Sequence, residues 1–156
     1  MNQAYGAAVS ADTPPARATV RAALMNSVFS SEVQCVAVDA DFIVRIAEGR
    51  QRSTLPFSPG IDTGDRVYLS GMVGRGADVT EKSLSILETI RATLAAADLD
   101  FSDVEEVWVY LTDIRNWEDA EAALAEVMPD GGPTPTVVGT VLVGDFDVEI
   151  QMVAKR

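Results

Sequence analysis

The sequence predicts an α+β domain, a mixed β-sheet with two helices packed on one face. Three features predict it. Residues 146–153 alternate strictly, with Val148, Ile150 and Met152 on one side and Asp147, Glu149 and Gln151 on the other, the period of a half-covered strand. Residues 79–97 and 117–128 instead repeat their apolar side chains at helical spacing. Short β-rich runs surround them, so the order reads β-hairpin, strand, helix, strand, helix, strand, strand.

Residues 1–32 read as an N-terminal extension, flexible or partly helical, because small residues dominate and Pro14-Pro15 interrupts them. Val20, Leu24 and Val28 recur at helical spacing and predict a short helix within 16–28. Residues 33–156 read as the folded domain. The runs 33–38 and 42–47 are β-rich, and Asp39-Ala40-Asp41 between them predicts a hairpin. Gly49, Pro56, Pro59 and Gly60 make 48–60 a loop.

Asp62-Thr63-Gly64-Asp65 turns the chain into a strand over 66–72, with Val67 and Leu69 on one face and Tyr68, Ser70 and Met72 on the other. Asp78, with Glu81 three residues later, has capping-box spacing for the helix 79–97, whose stripe is Leu84, Leu87, Ile90 and Leu94. The strand 104–111 puts Trp108 and Tyr110 on one face. Asn116 is placed to cap the helix 117–128, which packs through Trp117, Ala120, Leu124 and Val127. Pro129-Asp130-Gly131-Gly132-Pro133 stops that helix, and strands over 136–143 and 146–154 follow, joined through Gly144-Asp145. Two helices cover one face of such a sheet. The other, carrying Tyr68, Met72, Trp108 and Tyr110, would be wet in a monomer, which predicts burial against other subunits.

At 156 residues the chain is one domain's worth. Its 24 acidic and 12 basic residues give a net charge of −12, which weighs against nucleic-acid binding, since that needs a concentrated positive field. Only Arg50-Gln51-Arg52 approaches a basic run. No histidine and a single cysteine leave no intramolecular disulfide and no usual zinc set, so neither metal nor cofactor is expected. Cys35, inside an apolar run, reads as a buried small hydrophobe. Acid–base chemistry falls to carboxylates, Tyr, Lys, backbone or water. No apolar run approaches the roughly 20 residues that span a bilayer. Ala22-Ala23-Leu24-Met25 is too short for a secretory leader, so the expected compartment is the cytoplasm, with no membrane partner.

From Pro56 to Arg156 the sequence resembles the RidA/YjgF family, the reactive intermediate deaminases, whose fold is chorismate-mutase-like. The matched pieces are Pro56-Phe57-Ser58-Pro59-Gly60, the strand end from Val67 to Ser70-Gly71, the two helices with the strand 107–113 between them, and Val148-Glu149-Ile150. They come in the family's order over about 100 of 156 residues. The resemblance implies a homotrimer whose inter-subunit clefts bind small carboxylates. It also implies hydrolysis of enamines and imines released by pyridoxal-phosphate enzymes, giving a ketoacid and ammonia.

Position by position, the family's site serine falls on Ser70 and its C-terminal glutamate on Glu149; these are the implied catalytic residues. The turn tyrosine becomes Phe57, which keeps the ring and loses the hydroxyl. The family arginine that clamps the substrate carboxylate falls on Thr134 or Pro135, and no basic residue lies between Arg115 and Lys155. Two threonine hydroxyls do not replace the charge of a bidentate guanidinium. Phe57, Gly71, Thr134 and Thr136 are the implied ligand contacts, and Arg75 and Arg52 are candidate substitute cations.

Each residue also has a structural reading. Glu149 can be a solvated strand residue beside Asp147 and Gln151, Ser70 a small residue where backbones approach, and Phe57 core. Thr134 and Thr136 can be turn and strand-start residues, and Arg75 and Arg52 solvent-exposed charges. The expected activity is therefore that of an enamine or imine hydrolase acting on a small reactive metabolite. The alternatives are a trimeric small-molecule-binding or chaperone-like module without turnover and, less favoured by charge, a ribonuclease.

Overall fold

A computed structural model describes residues 2–10, 12, 14–39, 44–46 and 56–156. In chain order its elements are α1 (Asn2–Ala8), β1 (Val20–Arg21), β2 (Val44–Ile46), β3 (Gly60–Asp62), β4 (Arg66–Leu69), β5 (Met72–Val73), α2 (Val79–Ala95), β6 (Val104–Leu111), α3 (Trp117–Val127), β7 (Thr136–Gly139), β8 (Val141–Leu142) and β9 (Val148–Lys155). The main sheet runs β2-β3-β4-β9-β6-β7, with β5 also on β9. Every pairing is antiparallel except the parallel β6–β7 pair, so the sheet is mixed.

The core follows from the alternation of the two central strands. Val148, Ile150 and Met152 of β9 and Val107, Val109 and Leu111 of β6 are buried against α2 and α3. Burying that apolar layer is the main stabilising term. The opposite face carries Glu149, Gln151, Trp108 and Tyr110, because partners in register point the same way and Glu149 sits opposite Tyr110. Trp108 and Tyr110 stack with ring centroids 6.3 Å apart, and Trp108 is 37% exposed on this face.

Two devices close the domain. Asp62, buried on β3, receives the guanidinium of Arg156, which ties the C-terminus to β3. Burial would raise its pKa, but the hydrogen bonds from Arg156 and the Gly64 N–H, with the guanidinium charge, outweigh that and hold the carboxyl below its ordinary value. Gly144 at φ +103° makes the turn between β8 and β9, a backbone region that side chains rarely tolerate.

Several expectations are corrected. Residues 16–28 form no helix; Val20–Arg21 is extended and pairs with Val141–Leu142, so pairing with β8 overrides the helical spacing. The hairpin of 33–38 with 42–47 is absent: 33–38 has no regular structure, and β2 pairs with β3 instead. Residues 40–43 and 47 of that expectation, and 48–55 of the loop, lie outside the described residues. Cys35 is exposed rather than buried, because the run around it joins no sheet. Gly60 opens β3 rather than ending a loop.

At α2, Asp78 accepts the Glu81 N–H as expected, but Glu81 reaches back to the Ala77 N–H. The buried stripe includes Ile86, while Leu84 is only half-buried. Asn116 makes no side-chain cap. Asp113 instead caps a 3₁₀ turn over Ile114–Asn116 that leads into α3. The strand expected over 136–143 is two pieces, β7 and β8, broken at Thr140, and the last strand begins at Val148 rather than at residue 146. Among the described residues no helix is long and apolar enough to cross a membrane.

The shifted stripe can be tested. Ile86→Ala is expected to cost about 2–5 kcal/mol and Leu84→Ala clearly less, read from urea unfolding midpoints. Equal costs would contradict the observed facing of α2.

Candidate functional site

The strand expected over 66–72 is interrupted where the chemistry was expected. Tyr68 pairs with Val153 and Met72 with Ile150, so four steps along β4–β5 span three along β9. The extra residue is a bulge at Ser70-Gly71, a device that re-aims groups away from the ladder. The Ser70 N–H turns to the Pro59 carbonyl and the Gly71 N–H leaves the sheet altogether.

Glu149 lies against this bulge. A Cβ on Gly71 would stand 1.9 Å from Glu149 Oε1, so only glycine leaves room for the carboxylate. Glu149 is 6% exposed, which overturns its reading as a solvated strand residue. Burial pushes its pKa up to about 7, against the opposing effects of the Thr19 N–H bond and the Arg17 charge. Tyr110, opposite Glu149, is pushed up by burial and by that carboxylate.

The cover on this face is the N-terminal segment 14–21, which the sequence reading left outside the site. The Ser58 N–H and hydroxyl donate to the Pro15 and Pro14 carbonyls, at 2.9 and 2.5 Å. The Ser70 hydroxyl donates to the Ser58 carbonyl (2.5 Å) and accepts the Arg17 N–H (2.8 Å). The Arg17 carbonyl accepts the Gly71 N–H at 3.1 Å.

The Arg17 guanidinium lies over the rings of Tyr5 and Phe57, 4.6 and 4.9 Å from their centroids. Its Nη2 donates to Asn2 Oδ1, while Nη1 is buried with no acceptor among the described residues. Beyond this segment β1 pairs with β8, and the Thr140 hydroxyl donates to the Arg21 carbonyl.

Of the residues singled out from the sequence, Phe57, Ser70, Gly71 and Glu149 come together here. Within one chain Thr134 and Thr136 stand apart from them. Both are exposed, and β6 lies between β7 and β9, so Thr136 stands beside Trp108 rather than near Glu149. Arg75 is exposed, and Arg52 lies outside the described residues. Missed by the sequence reading were Arg17, Thr19, Ser58 and Tyr5. Pro14-Pro15, which favours an extended chain, was the one signal for an ordered strap. Among the described residues no group of His, Cys, Asp or Glu is arranged to hold a metal ion.

A family profile described as Endoribonuclease L-PSP matches residues 49–156. The chain is 32% identical over 108 residues to the RutC family protein YjgH of Escherichia coli K12, covering 64% of this chain and 82% of YjgH. A RutC family protein of Saccharolobus solfataricus is 28% identical over 110 residues, covering 65% and 87%. TdcF of E. coli K12, provisionally named a reactive intermediate deaminase, is 26% identical over 112 residues, covering 65% and 87%. The solved structure of E. coli TdcF with bound serine superposes with a TM-score of 0.61 at 26% identity, covering 65% and 88%.

The raised Glu149 pKa carries a stability prediction. An unfolded glutamate has an ordinary value near 4.5 and the folded one about 7, so between these the folded chain holds a proton that the unfolded chain has lost. The stability is fully present below pH 4.5 and is lost as pH rises through about 7. Its size is at most about 3 kcal/mol. Glu149→Gln is expected to flatten that slope and to exceed the wild type in stability at pH 8, measured by urea melts at pH 4, 6 and 8. Parallel pH profiles for the two proteins would contradict it. Gly71→Ala, which must push the carboxylate out, is expected to cost about 1–3 kcal/mol and to flatten the same slope.

Proposed function

The chain belongs to the RidA/YjgF family, and from that premise we propose that it hydrolyses the enamine or imine form of a small reactive metabolite at the Glu149 site. The observation that carries the reading is the buried Glu149 carboxyl, held near pKa 7 beside the Ser70-Gly71 bulge. A carboxyl of that pKa can both take and return a proton at neutral pH.

The reaction balances without a cofactor. Glu149 takes a proton from water as its oxygen adds to the imine carbon, and the C=N electron pair moves to nitrogen. Glu149 returns that proton to the nitrogen and then carries the hydroxyl proton to it as well; the carbonyl forms as the C–N bond breaks, ammonia leaves with the bonding pair, and Glu149 is again ionised. The Gly71 N–H is the donor at the bulge able to polarise the reacting atoms, and the Ser70 hydroxyl, whose proton goes to the Ser58 carbonyl, offers its oxygen as an acceptor.

The positive group that the family pattern places near Thr134 is missing there, and Arg17 on Phe57 is the cation acting on Glu149. Three copies packed through the face of Trp108 would cover what a single chain leaves exposed, with the site at the edge of that contact. A second reading, a binding module without turnover, is favoured by one observation: segment 14–21 already uses the Ser70 hydroxyl and the Gly71 N–H. The profile's endoribonuclease description brings in a third, against which the net charge of −12 stands.

Purified protein is expected to speed 2-iminopropionate hydrolysis above buffer, with a rate that rises through a midpoint near pH 7 as Glu149 ionises. Glu149→Gln should lower it by about 10²-fold or more. No acceleration sinks the hydrolase, and ligand-induced thermal shifts without turnover select the binding module. Light scattering is expected to give three times the 16.6 kDa chain mass, and a stable single subunit would overturn the trimer.

A further inference from the structure

Segment 14–21 holds the site as a ligand would. Its main chain takes the Gly71 N–H through the Arg17 carbonyl, the Ser70 hydroxyl through the Arg17 N–H, and the Glu149 carboxylate through the Thr19 N–H. The Pro14 and Pro15 carbonyls take the Ser58 hydroxyl and N–H. Ala18 fills the remaining approach, with its Cβ 3.1 Å from where a side chain on Gly71 would start. The groups that a small molecule would use are thus engaged by the same chain.

The rest of the fold does not call for this segment. The main sheet and its helical layer are complete without it, and β1 adds only a two-residue pairing with β8. Its hold is also incomplete. Pro14 is its one buried residue, and Arg17 Nη1 is buried without an acceptor among the described residues. Few buried apolar side chains and an unmade hydrogen bond put a segment at the low-stability end of a structure.

We infer that residues 14–21 are an intramolecular ligand of the Glu149 site, a strap that must leave before a small molecule reaches Ser70, Gly71 and Glu149. The inference rests on the proposed hydrolase only for the incoming molecule, a small imine or its carbonyl product.

The test locks the strap in the full-length chain. Arg21 and Val141 are partners across β1–β8 and both are exposed, so Arg21→Cys with Val141→Cys, in a Cys35→Ser background, gives a disulfide that reductant reopens. Two readings are taken in each redox state: hydrogen exchange at the Gly71 N–H, with Val109 in β6 as the core reference, and turnover of 2-iminopropionate. Oxidation is expected to slow Gly71 exchange and to lower turnover by at least about tenfold, both restored by reductant.

Gly71 exchanging as slowly as Val109 in the reduced protein would make the segment a permanent wall and overturn the strap. Equal turnover in the two states, with exchange slowed by the lock, overturns it while leaving the hydrolase intact. If neither state turns over, the hydrolase fails by itself, and pyruvate titrated against backbone amide shifts then decides. Binding only when reduced upholds the strap; binding in both states or in neither overturns it.

Discussion

The site depends on one close approach. Glu149 Oε1 occupies the space where any side chain at position 71 would begin. A glycine there lets the carboxylate sit against the backbone, and the bulge that Gly71 shares with Ser70 turns their N–H groups off the β9 ladder. The same geometry thus buries an acid and places the Gly71 N–H beside it, free of the ladder and bonded instead to the Arg17 carbonyl. Burial then raises the acid's pKa into the range where proton transfer at neutral pH is fastest in both directions. A regular strand through 66–73 would have given neither.

Much of the fold was legible because its signals are local and periodic. β6 and α3 begin where expected and end at or within a residue of it, and α2 ends two residues early, since alternation and capping residues act over a few positions. The core face of β9 follows from alternation alone. The bulge was not legible: nothing in Leu69-Ser70-Gly71-Met72 states that pairing with β9 resumes one residue out of step, although a Gly in a strand is a hint. The N-terminal segment was misread for a related reason. Val20, Leu24 and Val28 fit a helix, but the decisive partners of 14–21 are Ser58, Ser70 and Val141–Leu142, between about 40 and 120 residues away.

The site residues show the same division. Ser70, Gly71, Phe57 and Glu149 were carried over from the resemblance and lie together in space. Thr134 and Thr136, inferred only as occupants of the place where a family arginine stands, lie across β6 from Glu149. A positive charge reaches Glu149 instead from Arg17, on a segment outside the matched region 49–156. Its guanidinium lies over Phe57, the ring that the resemblance matches to a family tyrosine, so that ring serves as a platform for the cation.

The strap and the proton are coupled through Glu149. The helices lie on the other side of the sheet, so segment 14–21 is what covers the carboxyl on its own face, where Arg17 and Tyr110 are the facing charged and titratable groups. With the strap in place burial outweighs the Arg17 charge and the Thr19 N–H, and the pKa stands at about 7. With the strap gone the carboxyl meets water and its pKa falls toward the ordinary glutamate value until a bound molecule covers it again. The state with the higher pKa is the one a proton stabilises. Protonation therefore favours closure, and ionisation above neutrality favours opening, so the form of Glu149 that can act as a base is also the form that loosens its cover.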